Sequence, residues 1–188
     1  MKVLMFGWEY PPNITGGLGT ACYGLTKALA KHGVYIHFVV PKTFGDEDQS
    51  AVNLMDAGQV PVHENAEFIE DFWKNIEYLE IGANLIPYIS PEVFAQLHNL
   101  SAVDYSLLKE QVFSKKFSFT GSYGKDLLQE VSRYAIVAAS LALKKDFDII
   151  HAHDWLTYPA GIAAKNVSGK PLVIHVHATE YDRSGEHV

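Results

Sequence analysis

The first forty residues leave this chain few folds to choose from. Val3 to Phe6 is a short apolar run that reads as a buried strand. Leu18 to Lys31 carries apolar residues at helical spacing, and Val34 to Val40 is a second apolar run stopped by Pro41. His32-Gly33 closes the helix, because glycine accepts the left-handed backbone that follows a helix end. Two strands joined by a helix make a βαβ unit, which means a parallel sheet and a right-handed crossover. The expected buried face of this helix is Leu18, Cys22, Leu25, Ala28 and Leu29.

The same alternation returns in the last third. Lys125 to Lys145 reads as a long helix with Leu127, Leu128, Val131, Tyr134, Ala135, Ala138 and Leu141 at helical spacing. Phe147 to Asp154 is a strand running into a loop, Trp155 to Asn166 a helix, Gly169-Lys170-Pro171 a turn, and Leu172 to His177 the last strand. The pattern is an α/β, Rossmann-like, doubly wound sheet, mainly parallel, with helices on both faces. In the middle, Asp46 to Gln49 is a polar surface loop. Val52 to Met55, Val60 to His63, Ile76 to Ile81 and Leu85 to Ser90 are expected as short strands, an antiparallel extension at the sheet edge. Pro91 opens a short helix to Leu100, and more helix follows Ser101 before a loop at Phe117 to Ser122.

Composition narrows the function. A net charge of −7 without any basic stripe argues against nucleic acid as a partner. No apolar run approaches a membrane span or a signal peptide. The single cysteine, Cys22, has no internal partner for a disulfide, which suits a reducing cytoplasm. Its apolar neighbours make it a small core residue rather than a nucleophile.

Ligands of such sheets bind outside the carboxyl ends of the strands. Three polar stretches fall there: the Thr15-Gly16-Gly17 loop, His151-Ala152-His153-Asp154, and His175-Val176-His177. The loop before a helix N-terminus offers backbone N–H groups and a positive dipole end to an anion, and the two glycines let it come close. The simpler alternative is a turn that only packs helix on sheet. Alternation puts His151 and His153 on one face, and likewise His175 and His177, with Asp154 and Asp182 nearby. A dinucleotide fingerprint fails because Cys22 stands where a small residue belongs and Pro41-Lys42 where an acid does. A P-loop drawn from Gly19 fails at Leu25, and no Gly-x-Ser-x-Gly elbow exists. Three readings stay open: a metal-dependent hydrolase using the His-x-His-Asp and His-x-His pairs, an enzyme whose glycine loop faces a phosphate-bearing donor while histidines hold sugar hydroxyls, and a non-catalytic glycan- or nucleotide-binding module.

Phe6-Gly7-Trp8-Glu9-Tyr10-Pro11-Pro12 with Thr15-Gly16-Gly17-Leu18-Gly19 resembles the opening of glycogen and starch synthases and the related retaining glycosyltransferases of family four. His151-Ala152-His153-Asp154-Trp155-Leu156-Thr157 is similar to their second motif, and His177-Ala178-Thr179-Glu180-Tyr181-Asp182-Arg183 to their third. The resemblance implies one half of a GT-B fold: residues 1–188 as the N-terminal, acceptor-side domain, with the C-terminal nucleotide-sugar-binding domain of the same protein outside them, and no transfer from this piece alone. It implies hexose transfer, glucose by analogy, from a nucleotide-diphosphate sugar to a carbohydrate acceptor with retained configuration. That sugar is a co-substrate; no cofactor and no metal ligand are implied. Gly16, Gly17 and Leu18 would meet the donor, and Glu9, Tyr10, His153 and Asp154 the acceptor. His177 would stabilise charge at the anomeric carbon through its backbone carbonyl. Ile14 and Leu156 replace a lysine and a histidine of bacterial glycogen synthases, which points toward the broader family.

Overall fold

In the computed structural model, which describes residues 1–62, 116–124 and 127–179, β1 (Lys2–Phe6) runs down the middle of a five-stranded sheet. Around it lie β2 (Tyr35–Val40), β3 (Asn53–Asp56), β4 (Ile149–His153) and β5 (Leu172–His175) in the order β3-β2-β1-β4-β5, all parallel. The order reverses direction between β1 and β4, which makes the ends of these two strands the switch point of a Rossmann-like sheet.

Both faces of the sheet are buried, which is why its inner strands read as unbroken apolar runs. Val3 and Met5 of β1 pack with Ile36, Phe38, Val40 and Cys22 under α1 (Gly17–Lys31). Leu4 and Phe6 pack on the other face with Val39, Ile150 and the long helix α2 (Leu127–Lys144). The helix α3 (Tyr158–Ser168) joins that second layer after a single 3-10 turn at Trp155–Thr157. Gly161 is there because α3 lies too close to the sheet for a side chain: an added Cβ would sit 2.9 Å from both Ala152 Cβ and Leu172 Cδ1. Among the described residues no helix is long and apolar enough to cross a membrane.

Four expectations are corrected. The buried stripe of α1 is Gly19, Cys22 and Thr26; Leu25 and Leu29 are half-buried and Ala28 is exposed. Thr26 takes a core position because its hydroxyl is satisfied, accepting from Tyr10 Oη at 2.9 Å and donating to the Tyr23 carbonyl. Helix α2 is buried almost all round from Tyr134 to Ala142, held between sheet and α3 with Ala135 and Ala139 against Ala163, while Leu128 is exposed. β3 runs parallel to β2, not antiparallel. The chain returns to the starting end of the sheet through the Asp46 to Gln49 loop, which is tied to α1 rather than free. Asp48 accepts from Tyr23 Oη and pairs with Lys27, and Asn13 donates to Asp46. Finally, Val60 to Val62 form no ladder; a 3-10 turn at Ala57–Gln59 precedes them, capped by Asp56.

His63, the strands expected at Ile76 to Ile81 and Leu85 to Ser90, and the helices expected from Pro91 and Ser101 lie outside the described residues. Where description resumes, the Phe117 to Ser122 loop is a loop as expected. Phe119 enters the core cluster beside Val60 and Val62, and Lys116 Nζ donates to Gln59 at 3.3 Å. Buried Glu130 of α2 accepts from the Thr120 amide, the Thr120 hydroxyl and the Gly121 amide, so the loop is fixed to the helix.

Candidate functional site

The chain leaves β1 through Gly7, whose amide donates to the Val39 carbonyl at 3.0 Å. Tyr134, fully buried on α2, directs its hydroxyl at the carbonyls of Gly7 and Val39, at 3.0 and 2.7 Å. This fixes the height at which the next residues emerge. Glu9 then folds back under the loop, and its Oε2 accepts from the Thr15 amide at 2.9 Å and the Thr15 hydroxyl at 2.8 Å. Its other oxygen, Oε1, is buried without a partner among the described residues. Tyr10 does not face the site: its ring packs on Phe38 in the core and its hydroxyl is engaged with Thr26.

Gly16 is the N-cap of α1, with no side-chain cap and no acidic residue in the first turn, so α1 itself does nothing to neutralise its positive end. Nothing lies within 4 Å of a Cβ added at Gly16 or Gly17. The pair uses this openness rather than a left-handed backbone, since Gly16 is extended and the glycines with positive φ are others. Leu18 is half-buried against both core layers, so a ligand at this loop would meet backbone rather than the Leu18 side chain. Ile14 folds over Gly19, where an added Cβ would stand 2.3 Å from Ile14 Cγ2 and 3.1 Å from Glu9 Cγ. Leu156 is fully buried.

At the ends of β4 and β5 the four histidines form one stack on the face covered by α1, as the alternation predicts. Ring centroids are 4.1 Å apart for His151 and His153, 5.0 Å for His153 and His175, and 4.1 Å for His175 and His177. His153 Nδ1 lies 2.9 Å from His177 Nε2. Asp154 follows with φ 61°, a left-handed conformation uncommon for a residue with a side chain. Its amide donates to the His175 carbonyl at 2.9 Å, and its Oδ1 accepts from the amides of His177 at 2.6 Å and Ala178 at 3.4 Å. Thr157 locks the turn from the other side by donating its hydroxyl to the His153 and Asp154 carbonyls. The fold therefore brings His153, Asp154 and His177 together. Cys22 of α1 reaches the same place, with donor atoms of Cys22, His153 and His177 within 4.8 Å of one another. The glycine loop and the histidine stack thus share one end of one sheet face. Asp182 lies outside the described residues.

The surroundings disfavour charge on His151, His153 and His177. Burial, then repulsion from His175 and His177, pushes His151 from 6.5 down to about 4. His153 is pushed down further, by burial and then by His151, His175 and His177. His177 is lowered by burial and His175 against the pull of Asp154. Burial, then the carboxylates of Asp154 and Glu9, pushes the Cys22 thiol up to about 12, so it stays protonated.

A stability profile follows. Between about pH 6.5 and about pH 4 the unfolded chain binds protons that the folded stack refuses, so stability is full above that window and falls as pH falls through it. In chelator-treated buffer the unfolding free energy is expected to fall measurably from about pH 7 to about pH 5. Replacing His151 with Asn should flatten that slope. A slope equally steep in the variant would show that this histidine is not held neutral.

Two features were invisible to sequence reasoning. Tyr134 reads only as a helix core position, and nothing in the sequence marks its hydroxyl as the support of Gly7. The reach of Cys22 to His153 and His177 depends on where α1 lies over the sheet, which its spacing does not reveal.

Comparison with known proteins gives a consistent picture. The family described as starch synthase catalytic domain matches residues 2–187. An uncharacterized glycosyltransferase of Methanocaldococcus jannaschii is 26% identical over 185 residues, covering 98% of this chain and 33% of that protein. A glycogen synthase of Mycobacterium tuberculosis is 26% identical over 195 residues, covering 97% of this chain and 35% of that protein. A glycogen synthase of Caldicellulosiruptor saccharolyticus is 28% identical over 155 residues, 79% of this chain and 26% of that protein. The chain spans about a third of the length of the curated relatives it matches.

Proposed function

The chain belongs to the starch synthase catalytic domain family, and on that premise we propose that it is the N-terminal, acceptor-side domain of a retaining glycosyltransferase. The whole protein moves a hexose, glucose by likeness to the glycogen synthases, from a nucleotide-diphosphate sugar to a glycan acceptor. The C-terminal domain of the same protein supplies most of the nucleotide site, and residues 1–188 by themselves do not transfer. A single reduced cysteine suits a cytoplasmic enzyme.

The observation that carries this reading is the grip of Asp154 on the peptide after His177. In a trans peptide the N–H and C=O point in opposite directions. Asp154 accepts from the Ala178 amide, which shares its peptide with the His177 carbonyl, and from the His177 amide in the peptide before it, so the His177 carbonyl is turned away from Asp154. A preorganised carbonyl dipole is what a positive anomeric carbon needs, since it requires no reorganisation when the charge develops. Across the same face the open Gly16-Gly17 backbone and the uncapped start of α1 suit a diphosphate, with Leu18 contributing its amide. His153 lines the acceptor side, and the unpartnered Oε1 of Glu9 is a buried acceptor for a sugar hydroxyl. Transfer uses no cofactor and no metal ligand beyond the sugar nucleotide itself. Family membership disfavours the metal-dependent hydrolase reading. Weak glycan binding without chemistry remains the expectation for the isolated chain.

The test is made on the full-length protein with uridine and adenosine diphosphate glucose and a maltooligosaccharide acceptor. Transfer with an α-configured product is expected, and His177→Ala, which keeps the carbonyl but removes the ring contact with His153 that helps hold it, should lower turnover at least about tenfold, a barrier change of about 1.4 kcal/mol. Hydrolysis without transfer, or unchanged turnover in His177→Ala, overturns the assignment.

A further inference from the structure

We propose that His151, His153 and His175 form a binding site for a divalent transition ion of the zinc type. His151 and His153 stand two residues apart on β4, and His175 is the residue paired with His153 on β5. One nitrogen from each of the three lies within 4.8 Å of the others. A tetrahedral ion with nitrogen ligands needs them about 3.3 Å apart, so binding would draw the three rings together.

Two observations point to a ligand. Nε2 of His151 and Nε2 of His153 are buried with no hydrogen-bond partner among the described residues, and His153 is fully buried. Leaving such groups unpaired is unfavourable, and an ion would satisfy both. In addition, His153 already has the support that metal-binding histidines require. Its Nδ1 is held by His177 Nε2 at 2.9 Å, while its Nε2 has no partner among the described residues. All three ligands are imidazoles, with no carboxylate among them. That set selects zinc, cobalt, nickel or copper over magnesium or calcium and leaves a fourth position open. In the overlapping group of Cys22, His153 and His177, His177 Nε2 is already engaged with His153 Nδ1. The bound ion acts as a clip across the ends of β4 and β5. This inference does not rest on the transferase reading, because its readout is binding.

The experiment uses full-length protein stripped with chelator and titrated with Zn²⁺ by calorimetry and with Co²⁺ by absorption. One ion per chain with micromolar or tighter affinity is expected, with a tetrahedral Co²⁺ spectrum lacking a thiolate charge-transfer band. His151→Ala and His175→Ala should each weaken binding by about 100-fold or more, given that supporting partners alone account for about 10–100-fold. His175→Asn covers the case in which truncation unfolds the edge strand, and His32→Ala, at the exposed end of α1, should bind like the parent. Millimolar affinity in the parent, unchanged affinity in the His151 and His175 variants, or a thiolate band abolished by Cys22→Ser overturns the proposal.

Discussion

Replacing Asp154 with Ala in the full-length enzyme is expected to lower turnover by about 100-fold with little change in KM, a barrier increase of about 2.7 kcal/mol. The reason is geometric. Asp154 Oδ1 accepts from two successive amides: the Ala178 amide shares its peptide with the His177 carbonyl, and the His177 amide fixes the peptide before it. Without them the peptide can turn, and the dipole must be reoriented during the reaction instead of before it. Asn retains one acceptor oxygen, so Asp154→Asn should recover roughly tenfold of the loss. That recovery separates a positioning role from a proton-transfer role, in which Asn would fail like Ala. Full turnover in Asp154→Ala would falsify the orientation argument.

Gly7→Ala is expected to destabilise the fold by about 3 kcal/mol. An added Cβ would lie 2.4 Å from Phe38 Cζ and 2.7 Å from Cε1. Phe38 is fully buried among Val3, Met5, Tyr10 and Cys22 and has no room to retreat. The backbone cannot yield either, because the Gly7 amide and carbonyl are both held, by Val39 and Tyr134. Denaturant midpoints give the loss, and Phe38→Leu in the Gly7→Ala background should recover at least about 1 kcal/mol of it. Additive losses from the two substitutions would mean that the clash is relieved elsewhere.

The parts of this fold that were legible in the sequence are those governed by local periodicity. The β1-α1-β2 unit and the α2-β4-α3-β5 run carry their signals within single segments, and so does the histidine alternation that builds the stack. What was not legible depends on partners far along the chain. β3 pairs parallel to β2 after a connection whose Asp48 meets Tyr23 and Lys27 of α1, partners that no local window of sequence reveals. The phase of α1 was misread because Thr26 counts as polar until Tyr10 is seen to satisfy it. The same bond removes Tyr10 from the site. The roles of Glu9 and Asp154 were visible only as acidic residues near motifs, because both act through backbone amides, and backbone direction has no sequence signature.

The meeting of Gln59 with Lys116, and of Val62 with Phe119, has a consequence for how this domain can diverge. The chain departs from the sheet and returns to it at almost one point, and Glu130 fixes the return independently of what lies between. The described residues on either side of 63–115 are thus held together without help from that stretch. Closing a flexible linker costs a free energy that grows only with the logarithm of its length. A linker grafted between residues 62 and 116 should therefore leave the strand ends that carry the histidines and the glycine loop in their places.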